Sequence, residues 1–261
     1  MGTFDDYAER IASVGKTQRE ASLIREKRRI AEEARSSIAF QKVMIEGEQR
    51  EVTVISSDLT DQKKICSLPG EDIKCGAIVD WKNNKWLITE KDADDELYTK
   101  ATMLRCNYEL RWVDDDDVIR SQWCVIEDGT KYLIGEGEGK ESIATRGDTR
   151  IYIIIGRNEH TKRFDRTMRF LIDDDGGKHV LAYELTKPLK VGFVYNDEGV
   201  YKFILHETNT TDEDNQEMRI ADYYKHFPQS VVVDRKETKP PKSPAISPNE
   251  NTTGSGKMVW L

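Results

Sequence analysis

The chain has 261 residues, 34% of them charged and 37% hydrophobic, with a formal net charge of −8. That length accommodates one large β domain or two smaller ones, and the acidic balance makes non-specific binding to phosphate backbones a poor default. Cys66, Cys75, Cys106 and Cys124 include no Cys-x-x-Cys pair, which argues against zinc-ribbon and thioredoxin-like readings and predicts buried, reduced thiols.

Residues 16 to 38 carry Ile24, Ala31 and Ile38 at heptad spacing, with Ile30 and Ala34 beside them, and predict an amphipathic helix with a narrow apolar stripe. Its cations outnumber its carboxylates, so it is the one basic element of an acidic chain. Residues 1–42 are therefore read as a helical arm, with Arg25, Arg28 and Arg29 as candidate contacts to an acidic partner surface. A solvated helix face is the plainer alternative.

Short β-type runs follow: Val52–Ile55, Ile78–Val79, Trp86–Thr89, Tyr108–Val113 and Trp123–Ile126. They place a small β-barrel at 43–134. Within it, Asp80-Trp-Lys-Asn-Asn-Lys-Trp86 predicts a hairpin turning at Asn83-Asn84, which would set Trp81 opposite Trp86. Period-two alternation adds Val79 and Ile88 to the same face. These four residues are expected to be core rather than a stacking platform, since aromatic cross-strand pairs commonly stabilise sheets. Asp114–Asp117 read as a turn ending a strand.

Gly135-Glu-Gly-Glu-Gly-Lys-Glu-Ser142 has three glycines and no apolar residue, and 135–148 is expected to be a flexible linker or exposed loop. Beyond it Ile151–Ile155, Met168–Ile172, Val180–Tyr183, Val191–Tyr195 and Val200–Leu205 predict a second, sandwich-like β domain at 149–233. From 234 to 261 the composition turns to Pro, Ser, Asn and Gly, which predicts an extended tail. Met258, Val259, Trp260 and Leu261 close it with an apolar peptide suited to docking on a neighbour. The fold class is thus mainly β, with an N-terminal helix and an extended tail.

No pattern along the chain supplies a site of chemistry. Val14-Gly-Lys-Thr17 lacks the earlier glycine of a phosphate-binding loop, Arg10 standing in its place. The aspartate runs lack calcium-loop spacing, and His160, His179, His206 and His226 form no ligand pair or catalytic pattern. No catalytic residue, metal or cofactor is expected, and no enzyme class is supported. The N-terminus shows no signal-peptide pattern, and no apolar run approaches ~18 residues, so neither secretion nor a membrane partner is expected.

The segment Gly76-Ala-Ile-Val-Asp-Trp-Lys-Asn-Asn-Lys-Trp-Leu-Ile-Thr89, with Tyr98–Met103 and Cys106–Trp112, resembles head-tail connector proteins of tailed bacteriophages, and most of all the head-closure, or stopper, group. The resemblance covers residues 40 to 127. It implies a small β-barrel, and a virion protein that forms a homo-oligomeric ring below the portal, joins head to tail and continues the DNA channel. The implied neighbours are a portal or adaptor protein on the head side and a tail terminator or tail tube protein on the tail side, with DNA passing through unread. Its place would be the virion neck, and the host cytoplasm during assembly. Two alternatives stand beside this one: an OB-like single-stranded nucleic-acid binder, and a tail or baseplate component.

Overall fold

The protein is described from a computed structural model, over residues 15, 17–92, 96–128, 150–173, 180–190, 194–195 and 197–228. The expected linker at 135–148 and the tail from 234, with its Met258–Leu261 peptide, lie outside these residues.

Thr17 starts the helical arm. Its side chain accepts from the Glu20 amide while the Glu20 carboxylate accepts from the Thr17 amide, a reciprocal cap that satisfies two otherwise orphaned donors. Helix α1 (Gln18–Ser36) runs from there. No helix among the described residues is long and apolar enough to cross a membrane.

Six strands then close a barrel: β1 (Phe40–Ile45), β2 (Glu48–Ser56), β3 (Gln62–Ser67), β4 (Ile78–Trp81), β5 (Asn84–Lys91) and β6 (Lys100–Arg105). Two three-stranded meanders, β1-β2-β3 and β4-β5-β6, join where β3 meets β6, Ile65 lying opposite Ala101. The circle is completed by β1 against β4, through Met44–Asp80 and Ile45–Val79. All pairings are antiparallel, so the β1–β2 turn, the β3–β4 connection and the β5–β6 loop share one end of the barrel. Val43, Val52, Ile65, Val79, Trp86, Ile88 and Met103 fill the interior.

The second sheet contains β7 (Tyr108–Val113), β8 (Ile119–Asp128), β9 (Arg150–Gly156), β10 (Arg169–Asp173), β11 (Val180–Leu189), β12 (Val194–Tyr195) and β13 (Glu198–Thr208). Its order is β10-β11-β13-β9-β8-β7, with β12 paired to β13. This domain is a single sheet curled nearly shut. The two end strands meet through Tyr108, whose hydroxyl accepts from the Asp173 amide at 3.2 Å and donates to the Leu171 carbonyl at 3.3 Å. Inside, a 3-10 turn (Thr161–Arg163) delivers Phe164 against Trp112, Phe170 and Phe203 at centroid distances of 4.9, 5.1 and 5.6 Å.

The change of sheet falls at Cys106–Asn107, earlier than the expected boundary at 134/135: β7 and β8 pair with β9 and not with the barrel. The two bodies share a wall. Leu87 of β5 packs with Val125, Ile154 and Val200 from β8, β9 and β13. Backbones come close enough that a Cβ on Gly156 would lie 2.1 Å from the Gly76 carbonyl oxygen, and one on Gly76 would lie 2.1 Å from that of Gly199. Strands on this wall are buried on both faces, which is why Trp86-Leu-Ile88 and Ile153-Ile-Ile155 are continuous apolar runs.

The segment from Asn209 to Pro228 carries a short helix, α2 (Tyr223–His226), and is clamped to β10. Arg169 pairs with Asp214 at 2.8 and 2.9 Å and reaches Asp222 at 2.8 Å and the Asn209 carbonyl at 2.8 Å. Burial opposes the charge on Asp214, but Arg169 and the amides of Asp222 and Thr211 outweigh it and hold the carboxyl below its usual range. Cys75 and Cys106 are buried free thiols, pushed up to about 11 and about 12 chiefly by desolvation, as neutral core groups should be.

Candidate functional site

The tryptophan hairpin turns one residue earlier than expected. Lys82 and Asn83 both take positive φ (50° and 61°), the two-residue turn whose twist matches its strands. Val79 therefore faces Trp86, and Trp81 faces Asn84. Partners shift by two positions, which preserves parity, so Val79, Trp81, Trp86 and Ile88 still share the inward face. Trp81 and Trp86 meet diagonally at 5.7 Å, tilted by 56°. Val79, Trp86 and Ile88 are buried and Trp81 is half-buried beneath the Lys82 ammonium. None offers the open ring face that base stacking needs. The barrel also has six strands where an OB-fold has five.

The acidic turn Asp114–Asp117 is engaged by the protein's own cations. Asp114 is buried, and its carboxylate meets His160 at 2.9 Å, Arg163 at 3.3 Å and Arg120 at 3.5 Å. Burial raises its pKa, yet the Asp115 amide, His160 and Arg163 together bring it below the usual value. Arg163 also reaches Asp116 at 3.1 Å, and His226 reaches Asp117 at 2.7 Å. This turn fastens α2 and the Phe164 loop onto β7.

Helix α1 packs loosely on the rest: none of its residues is buried. Arg19 pairs with Glu96 at 2.8 Å, pinning the first turn to the barrel end that carries the β5–β6 loop, and Arg35 lies 3.9 Å from Glu51 near the other end of the helix. Arg29 is used within the helix, held by Glu26 and, at 2.6 Å, by Glu33, and both carboxylates raise its pKa. Arg25 and Arg28 form no ion pair among the described residues. Beside them stands Ile24, 37% exposed; Ile38, at the turn into β1, is 98% exposed. An apolar residue flanked by two guanidinium groups has a chemistry that protein interfaces use, since Arg is enriched there and reads carboxylates bidentately.

At the barrel end where α1 begins lies a depression floored by Ile45, Val52, Ile73 and Ala77. Four carboxylates rim it (Glu46, Glu48, Glu71, Asp72) against two cations (Arg50, Lys74). Arg50 pairs with Glu48 and Asp72 with Lys91, both at 2.7 Å, whereas Glu46 and Glu71 make no ion pair among the described residues. Sequence reasoning did not find this mouth, because its two halves meet only through closure of β1 on β4. The described residues include no cluster of His, Cys, Asp and Glu able to hold a metal ion.

Residues 16–105 match the model of the YomX N-terminal domain, a family associated with SPbeta-like prophage. The match covers about a third of the chain, and its limits coincide with the start of α1 and the last residue of β6. The matched segment thus takes in the helical arm and the closed barrel together, and its likeness to a phage-associated family suggests a phage protein. No curated protein and no solved structure matches the chain.

Proposed function

We propose that this chain is a structural protein of a tailed-phage virion, forming a homo-oligomeric ring in the neck, below the portal, that joins head to tail and continues the DNA channel. The observation that carries this reading is the match of residues 16–105 to a phage-associated domain, bounded by the helix and the barrel. Two features support it. An arm with no buried residue and uncommitted Arg25 and Arg28 suits contact with other chains. A barrel whose tryptophans face inward suits a scaffold better than a nucleic-acid reader. In this reading the protein has no catalytic role and needs no cofactor; its neighbours are a portal or adaptor protein and a tail terminator or tail tube protein, and DNA passes without sequence-specific contact. It occupies the virion neck, after assembly in the host cytoplasm.

The test is a phage lacking this chain. Filled heads and complete tails that fail to join, restored by the chain in trans, are expected, together with gold-labelled antibody at the head–tail junction of normal particles. Label at the tail tip, or joined infectious particles without the protein, would overturn the neck assignment.

A further inference from the structure

The uncommitted face of α1 and the acidic mouth of the barrel complement each other, and from this we propose that α1 of one copy docks by Ile24, Arg25 and Arg28 in the barrel mouth of the next copy. The inference rests on the ring reading above and adds its interface. The chemistry matches group for group: Ile24 meets the apolar floor of Ile45, Val52 and Ile73, while the two guanidinium groups meet Glu46 and Glu71. The mouth carries four carboxylates against two cations, and α1 carries Arg25 and Arg28 beyond its internally paired Arg29.

Position agrees with chemistry. The β1–β2 turn and the β3–β4 connection that form the mouth lie at the same barrel end as the β5–β6 loop. Arg19–Glu96 pins the first turn of α1 to that end, and Ile24 to Arg28 follow within ~15 Å along the helix. In a ring about one axis all copies point the same way, so the first half of α1 stands level with the mouth of its neighbour. Because helix and mouth are different patches of one surface, the contact is heterologous, the kind that propagates around a ring. It also gives α1 the covered face that a helix of this length draws most of its stability from.

The experiment is sedimentation velocity of the full chain over a concentration series, with two charge-reversed variants: R25E/R28E on the helix and E46K/E71K at the mouth. Each should lower the association constant by about tenfold or more, with unchanged thermal unfolding as the folding control. The quadruple variant, with both charges exchanged, should associate again. An equimolar mixture of the two double variants offers two usable contacts, the helix of E46K/E71K on the mouth of R25E/R28E and the helix of R25E/R28E on the mouth of E46K/E71K, and should associate beyond two copies where neither variant does so alone. Reversals that leave association unchanged would overturn the docking while the ring reading stands on other surfaces. If residues 1–14 of the same chain cover α1 instead, R25E/R28E lowers helical circular dichroism without moving association, and the docking is wrong. A wild-type chain that stays monomeric throughout also overturns it, and the neck reading then rests on the particle experiment alone.

Discussion

Replacing Gly156 by alanine should strike the shared wall between barrel and second sheet. The new Cβ would sit 2.1 Å from the Gly76 carbonyl oxygen and 3.1 Å from Gln122 Nε2, so the two backbones must part by ~1 Å or more. Overpacking of this kind costs roughly 1–3 kcal/mol. The displacement also strains two backbone hydrogen bonds at the wall, Gly199 N–H to Cys75 O and Arg157 N–H to Gly199 O, both 3.0 Å, each worth about 1 kcal/mol. A destabilisation of about 3–5 kcal/mol follows. Gly70 separates this effect from backbone strain: it has φ +91°, but a Cβ there would meet nothing within 4 Å, so Gly70→Ala should cost only the left-handed penalty of about 1–2 kcal/mol. Gly76→Ala combines both, with φ +90° and a 2.1 Å clash, and should be the worst of the three. Urea unfolding followed by far-ultraviolet circular dichroism measures all of them. A Gly156→Ala variant no less stable than Gly70→Ala would refute the close-backbone account of the wall.

Trp86→Ala should cost about 3–5 kcal/mol, as truncation of a fully buried aromatic does, and Trp81→Ala clearly less because that ring is half-exposed; equal urea midpoints would refute the difference in burial. Arg169→Ala leaves the fully buried Asp214 carboxylate without its cation and should cost about 3–5 kcal/mol by the same assay. Asp114 and Asp214 both have depressed pKa values in the folded state, so their contribution is complete above the unfolded aspartate value near 4 and is lost as pH falls through the folded values. Unfolding free energy should therefore decline on acidification below about pH 4, and less steeply in Asp214→Asn. Deleting residues 1–38 should leave the unfolding midpoint of both sheets unchanged, because α1 contributes no buried side chain; a lowered midpoint would place the helix in the core.

Much of this architecture can be read from local pattern. The cap at Thr17 and Glu20, the inward face of the tryptophan hairpin and the alternation in Tyr108–Val113 all follow from spacing within a few residues. What cannot be read so is pairing at a distance. β3 and β6, Gln62-Lys-Lys-Ile-Cys-Ser67 and Lys100-Ala-Thr-Met-Leu-Arg105, look too charged for strands, because each turns only alternate residues into the barrel. Composition placed a boundary in the glycine-rich stretch, whereas the sheets change at Cys106–Asn107, where composition does not change at all. The unbroken runs at Trp86–Ile88 and Ile153–Ile155 were the available signal, since burial on both faces requires something packed on each. Arg29 belongs to the same lesson: carboxylates three residues before and four residues after it, Glu26 and Glu33, already commit it within the helix, whereas Arg25 and Arg28 form no ion pair among the described residues.

The passage from barrel to second sheet takes two residues, Cys106 and Asn107, and the Asn107 side chain is itself engaged by both the amide and the carbonyl of Ile126, at 2.8 and 2.7 Å. There is no slack in that crossing and no hinge. A torque applied to the barrel therefore reaches the second sheet through side chains packed face to face, Leu87 against Ile154 and Val200, rather than through a tether that must first be drawn taut. Mechanically the packed wall couples the two sheets directly. In the neck assembly proposed above, motion would then be a displacement of whole subunits against one another, with the packing between the two sheets of each subunit kept.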